Sequence, residues 1–226
     1  MRRGPILGIL GFGIAVAIGV SVWIASPTKT DLALPPPLEA WSGAVPSQSY
    51  AQDFAALARG FRPQIYRSFC GPATIETILR AYGDVEADQA SIFPSLSEKL
   101  DTFYSGMSLA ELAQLAQAAG LRTEIAYADT LDLTTFRTRL QTNLAHPGDF
   151  VVVNYDRRVL KQSGAGHISP IAAYDESRDA FLILDEAAYR YPFTWVPAPL
   201  LYEAVHTRAG DRYRGVLFIS GYHRPL

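Results

Sequence analysis

Cys70 is the only cysteine of the chain. It stands in Phe69-Cys70-Gly71-Pro72-Ala73, where a helical apolar pattern is about to begin. Pro72 suits a first helical turn, where its missing N–H is not needed. A thiol there meets unpaired backbone N–H groups and the positive end of the helix macrodipole. Both favour the thiolate, the nucleophilic form, and so predict a thiol titrating well below ~8.5. His167, in Gly164-Ala165-Gly166-His167-Ile168-Ser169-Pro170-Ile171, lies at the mouth of a strand pattern. The glycines before it leave room for a substrate backbone. A histidine so placed can take the thiol proton and later protonate a leaving amine. Asp185 closes the apolar run Phe181-Leu182-Ile183-Leu184, where a carboxylate can hold the imidazole in one tautomer. Gln64 precedes Cys70 by six residues, and its amide can donate to an oxyanion beside the Cys70 N–H. Singly, each residue has an ordinary alternative: a buried cysteine, a structural histidine, a strand-end aspartate.

Positioning falls to two kinds of element. Residues 51–59 and 71–82 carry apolar stripes at helical spacing, the second ended by Gly83. Ser108 and Glu111 are spaced as a capping box for a helix that stops at Gly120, and 133–143 reads as a further helix. After Pro147-Gly148 the pattern changes. Residues 150–155, 167–174, 180–185 and 214–221 read as short buried strands. Helices first and an antiparallel sheet afterwards make an α+β domain. Glutamine, cysteine, histidine and aspartate in that order, with a helix after the cysteine and strands bearing the other two, is the arrangement of papain-like cysteine peptidases.

The chain of 226 residues is 49% hydrophobic with a net charge of −2, which suits one domain with a real core and no cationic surface for nucleic acid. One cysteine makes neither an intramolecular disulfide nor a multi-cysteine zinc site. His146, His167, His206 and His223 form no local metal-binding pair, so no metal ligands are assigned. Arg2 and Arg3 precede an uncharged stretch from Gly4 to Ser26, long enough for a ~30 Å hydrocarbon core. Residues 1–26 are therefore a signal peptide or an uncleaved anchor. Trp23, where a cleavage site needs a small residue, favours the anchor. The positive residues place the remainder outside the cytoplasm, in a bacterial periplasm. Residues 27–49, with Pro35-Pro36-Pro37, read as a Pro-rich linker, and 50–226 as the catalytic domain.

The chain resembles the phytochelatin synthase family. The resemblance is carried by Lys161-Gln162-Ser163-Gly164-Ala165-Gly166-His167-Ile168-Ser169-Pro170-Ile171, by Leu182-Ile183-Leu184-Asp185, by Tyr191-Pro192-Phe193-Thr194-Trp195-Val196-Pro197, and by the segment from Gln64 to Ala73. It implies a papain-like fold, with a helical N-terminal half packed on an antiparallel C-terminal sheet. It implies a glutathione γ-glutamylcysteinyltransferase that releases glycine from glutathione and holds γ-Glu-Cys as a thioester. A second glutathione, or water, then takes the acyl group. Carried over, Cys70 is the nucleophile, His167 the acid/base, Asp185 the orienting carboxylate and Gln64 the oxyanion donor. Gly166 and Arg214 would face the substrate. The resemblance implies no fixed cofactor, and heavy metals such as cadmium enter as metal–glutathione substrate complexes. Two departures stand out. The cysteine-rich C-terminal region of the plant proteins has no counterpart, as in short bacterial relatives that favour hydrolysis. The family's acidic residue for the γ-glutamyl amino group falls near His206-Thr207, where there is no carboxylate, and Asp211 is out of register. Those departures leave open a papain-like peptidase acting on another extracytoplasmic peptide.

Overall fold

A computed structural model of the chain describes residues 28–44, 46–47 and 50–224. The anchor or signal peptide expected at 1–26 lies outside the described residues. No helix among those described is long and apolar enough to cross a membrane.

The elements follow in chain order. A two-residue strand β1 (Glu39–Ala40) comes first, then four helices: α1 (Ala51–Gly60), α2 (Cys70–Ala81), α3 (Leu96–Ser105) and α4 (Leu109–Ala118). Strand β2 (Leu121–Tyr127) and helix α5 (Leu133–Leu144) lead into β3 (Phe150–Asp156), β4 (Gly166–Asp175), β5 (Ala180–Ile183) and β6 (Thr194–Pro197). Helix α6 (Ala198–Val205), the small pair β7 (Arg208–Ala209) and β8 (Arg212–Tyr213), and β9 (Gly215–Tyr222) complete the chain. Seven strands form one antiparallel sheet in the order β1-β6-β5-β4-β3-β9-β2. The architecture is mixed helix and antiparallel sheet. It is less cleanly divided than the sequence pattern implied, because β1 and β2 come from the helical half and pair with β6 and β9.

Helix α2 packs on the sheet with its first ten residues buried. Gly71 lets it approach α4, because a Cβ there would lie 2.9 Å from Met107 Sδ and 3.2 Å from Leu112 Cδ1. Helix α4 starts on the expected capping box. The Glu111 N–H donates to Ser108 Oγ, and the Ser108 N–H donates to the Glu111 carboxylate at 2.7 Å. All seven residues of β3 are buried, as a continuous apolar run in a central strand requires.

The segment read as a linker is instead part of the domain. The Thr30 N–H donates to the Tyr189 carbonyl at 2.7 Å and the Leu32 N–H to Arg190 at 2.9 Å. Leu38 is buried, and Trp41 packs on Phe54 and Phe193 with centroids 5.3 and 5.9 Å apart. The three prolines end just before β1, which lies at the sheet edge, where a missing ladder N–H is tolerated. The apolar residues interleaved with them give the segment something to bury.

Candidate active site

Cys70 opens α2, and His167 is the second residue of β4. Both line one cavity of about 1220 Å³ together with Gln64, Gly166, Arg157 and Arg214. Asp185 lies two residues past the end of β5, in the bend that follows it. The strand stops short of the expected limit at 185, because Leu184 makes the last backbone bond, to Pro170. Beyond it the Asp185 carboxylate meets His167 Nε2 at 2.9 Å and also accepts the Ala187 N–H at 2.8 Å. With Nε2 so engaged, Nδ1 is the ring nitrogen left for the thiol.

Arg157 is the residue that sequence reasoning missed. Its Nη2 donates to both Asp185 oxygens at 2.6 and 2.7 Å, and its Nη1 to Gln162 Oε1 at 2.8 Å. Its guanidinium stands over the Tyr191 ring, 5.2 Å from the centroid. Both members of the ion pair are almost fully buried. The carboxylate therefore serves an arginine and a histidine at once.

This sharing sets the protonation states. Burial alone would raise the Asp185 carboxyl, but the charge of Arg157 and the contact with His167 hold it well below the usual range. Burial, followed by the Arg157 charge, pushes His167 down to about 4 against the pull of Asp185. Burial likewise pushes the Cys70 thiol up, although N–H groups of Ile168 and Gly71 point at the sulfur and Arg157 adds positive charge. The expected low-pKa thiol is thus corrected: helix-terminus effects act here, but desolvation outweighs them. These directions favour a resting pair of thiol and neutral imidazole at neutral pH. Iodoacetamide can modify only this one thiol. Its rate is expected to stay low through neutral pH and to climb above the ordinary thiol range near ~8.5. A plateau already reached in mild acid would show a preformed thiolate–imidazolium pair and overturn this assignment.

Gln64 is held in place from two sides. Its own N–H donates to the Glu186 carbonyl, and Gln89 clamps both neighbours, accepting from the Ile65 N–H and donating to the Pro63 carbonyl. Its amide, however, donates to the carbonyls of Tyr66 and Arg67 at 2.9 and 2.8 Å. Both Nε2 hydrogens are spent, so the oxyanion role needs one of these bonds to be released. The Cys70 N–H, first in its helix, has no intrahelical partner and needs no such change. Gly166 and Arg214 are neighbours. A Cβ at 166 would lie 2.6 Å from Arg214 Nη1, so at this glycine the space expected for a substrate backbone holds a guanidinium. Arg214 donates through Nη1 to Asn154 and through Nε to the Thr207 hydroxyl. Among the described residues no group of three or more His, Cys, Asp or Glu side chains could hold a metal ion.

Glu186, the next residue after Asp185, is fully buried, and neither carboxylate oxygen has a hydrogen-bond partner. Burial, then the Asp185 charge, raises it well above its ordinary value of 4.5; the Thr77 and Thr74 hydroxyls ease the rise from outside hydrogen-bond geometry. A raised acid costs folding nothing below the unfolded value and progressively more as pH climbs toward the folded one, at about 1.4 kcal/mol per unit of separation. Glu186→Gln is therefore expected to raise the melting temperature, relative to the parent, by an amount that grows from pH 4 to pH 8. A difference that is flat with pH would show that Glu186 is not held neutral.

A family model described as phytochelatin synthase matches residues 43–215. The chain is 30% identical over 212 residues to glutathione gamma-glutamylcysteinyltransferase 3 of Lotus japonicus, which covers 89% of this chain and 44% of that protein. It is 29% identical over 184 residues to glutathione gamma-glutamylcysteinyltransferase 2 of Arabidopsis thaliana, covering 76% and 41%. With the glutathione gamma-glutamylcysteinyltransferase of Schizosaccharomyces pombe it shares 27% over 189 residues, covering 77% and 45%. The chain thus spans less than half the length of these curated relatives.

Proposed function

This chain belongs to the phytochelatin synthase family, and from that premise we propose that it is a papain-like cysteine acyltransferase that takes γ-Glu-Cys from glutathione. The observation that carries the reading is that Cys70 and His167 line one cavity, with His167 Nε2 tied to the buried Asp185 carboxylate behind it. Cys70 Sγ attacks the carbonyl carbon of the Cys–Gly bond while His167 Nδ1 takes the thiol proton. The C–N bond breaks, His167 returns that proton to the glycine nitrogen, and γ-Glu-Cys remains as a thioester. The amine of a second glutathione, or water, then attacks the thioester carbon. His167 takes the incoming proton and returns it to the leaving sulfur. The Cys70 N–H supports the oxyanion, joined by Gln64 if its amide turns from the Tyr66 and Arg67 carbonyls. Heavy-metal ions act as part of a metal–thiolate substrate, with no resident cofactor. The N-terminal segment serves as a membrane anchor, and the domain works in the periplasm.

Arg214 is the candidate for the γ-glutamyl carboxylate, with Nη2 as the nitrogen not bound to Asn154 or Thr207. One observation favours a second reading. At the place where a carboxylate would meet the substrate amino group, Thr207 presents a hydroxyl, and it accepts from Arg214 Nε. The carboxylate that acts on Arg214 is Asp156, itself tied to Arg158. A papain-like peptidase acting on a different peptide fits that feature.

The full chain incubated with glutathione, with and without cadmium, separates the two. Free glycine with γ-Glu-Cys is expected, and γ-Glu-Cys oligomers show transfer. No turnover from a preparation whose Cys70 still reacts with alkylating agents would overturn the glutathione assignment and leave the peptidase.

A further inference from the structure

Five large apolar side chains are exposed among the described residues: Ile65, Val85, Leu96, Leu100 and Tyr104. Three of them, Leu96, Leu100 and Tyr104, are spaced four apart on α3 and so form one stripe along it. Leu96 is 70% exposed and Tyr104 64%. Helix α3 buries only Thr102. It is held from beneath, by Ser68 Oγ donating to the Phe103 carbonyl at 2.8 Å and by the Tyr66 ring edge-on to Phe103 at 5.1 Å. The stripe flanks the packed edge of the helix, with Tyr104 edge-on to Phe103 at 5.1 Å, and its three exposed side chains have no role in this domain's core.

The position of the chain's first described residues supplies the occupant. Thr30 bonds to Tyr189. The Arg67 guanidinium lies 5.7 Å from the Tyr189 ring centroid, and Tyr66, the next residue, touches Phe103 of α3. The start of the described chain and α3 thus lie within a few contacts of each other around one cavity, which Tyr189 and Tyr104 both line. The uncharged stretch ending at Ser26 immediately precedes that start. A bilayer holding this stretch would lie within reach of α3.

We infer that the exposed stripe of α3 is a bilayer-docking surface: Leu96, Leu100 and Tyr104 enter the interfacial region of the membrane that the N-terminal segment anchors. The geometry is that of an interfacial helix lying in the membrane plane. Because α3 also walls the cavity, docking brings one rim of the cavity to the lipid surface. The inference rests on the anchor reading given above.

The single cysteine makes the test clean. In the full chain carrying Cys70→Ser, a cysteine is introduced either as Leu100→Cys or as Glu176→Cys, the latter in the turn at the far end of β4. Each is labelled with a nitrobenzoxadiazole dye and reconstituted into phosphatidylcholine vesicles, with or without nitroxide-bearing lipid. Flotation reads the anchor; quenching reads the stripe. The expected result is flotation of both proteins, with severalfold quenching at position 100 and none at 176. Flotation with equal quenching at both positions would overturn the docking surface and leave the anchor standing. Failure to float would overturn both. Quenching at 100 between labelled copies but not by nitroxide lipid would make the stripe a contact between copies, and shielding at 100 without lipid would assign it to the N-terminal segment itself. Either of those results also overturns bilayer docking.

Discussion

Cys70→Ala is expected to abolish glycine release from glutathione, by a factor on the order of 10⁶, the scale set by deleting the nucleophile of a hydrolytic triad. The substitution removes one sulfur from the start of α2 and leaves the helix, its cap and the His167–Asp185 contact in place. Cys70 is buried but borders the cavity, and only one atom is lost, so thermal unfolding should remain a single transition close to that of the parent. The protein has no second thiol to substitute, and a thioester cannot form on alanine. Glycine release by the mutant within a hundredfold of the parent rate would show that another group attacks, and the assignment of Cys70 would fall. Loss of activity together with loss of the unfolding transition would point to misfolding; that case is separated by His167→Ala, which keeps the thiol and should lose activity while Cys70 still alkylates.

How much of this was legible in the sequence depends on how local each signal is. The position of Cys70 at a helix start was readable because Gly71 and Pro72 mark that start with no help from elsewhere, and the capping box at Ser108 is likewise complete within four residues. His167 was readable from the glycines that precede a β-branched run. Arg157 was not. It sits in Asp156-Arg157-Arg158, a polar turn that looks solvated, and its meaning comes from Asp185, 28 residues away. It lies in the turn just past β3, where its neighbours Asp156 and Arg158 pair with each other, and nothing local separates its fate from theirs. The thiol was misjudged for a related reason: helix-terminus electrostatics can be read from residue order, whereas the desolvation of the sulfur is a property of the assembled fold. Helix α3 and strand β2 were passed over. The first has little apolar patterning toward the core, and the second alternates weakly, with burial only at Leu121 and Ala126. The prolines of 27–49 read as a spacer because the bonds from Thr30 and Leu32 go to a loop more than 150 positions later in the chain.

The buried Arg157–Asp185 pair leads to the second large effect. Truncating one partner of a buried ion pair strands the other, at a cost of about 3–5 kcal/mol. Arg157→Met is expected to lose stability on that scale, because Asp185 would keep its charge with only His167 and the Ala187 N–H to meet it. The chemistry shifts as well. After burial, the Arg157 charge is the largest influence holding His167 down at about 4, so its removal lets the imidazolium form more readily beside an unshared carboxylate. In the proposed mechanism neutral His167 is the base, so activity is expected to fall as pH drops through the histidine's pKa. In the parent that limb lies near 4; in Arg157→Met it should move up toward the ordinary histidine range near ~6.5. The rate above the limb is expected to fall by about a hundredfold, as the carboxylate loses the fork that fixes its orientation. Arg157→Met/Asp185→Asn should recover much of the stability, since no charge is left stranded, and none of the activity. A pH–rate profile unchanged in Arg157→Met would confine the arginine to structure. The upward shift, together with stability restored only in the double mutant, would show one carboxylate balanced between a cation that keeps the histidine neutral and the histidine that needs it during attack.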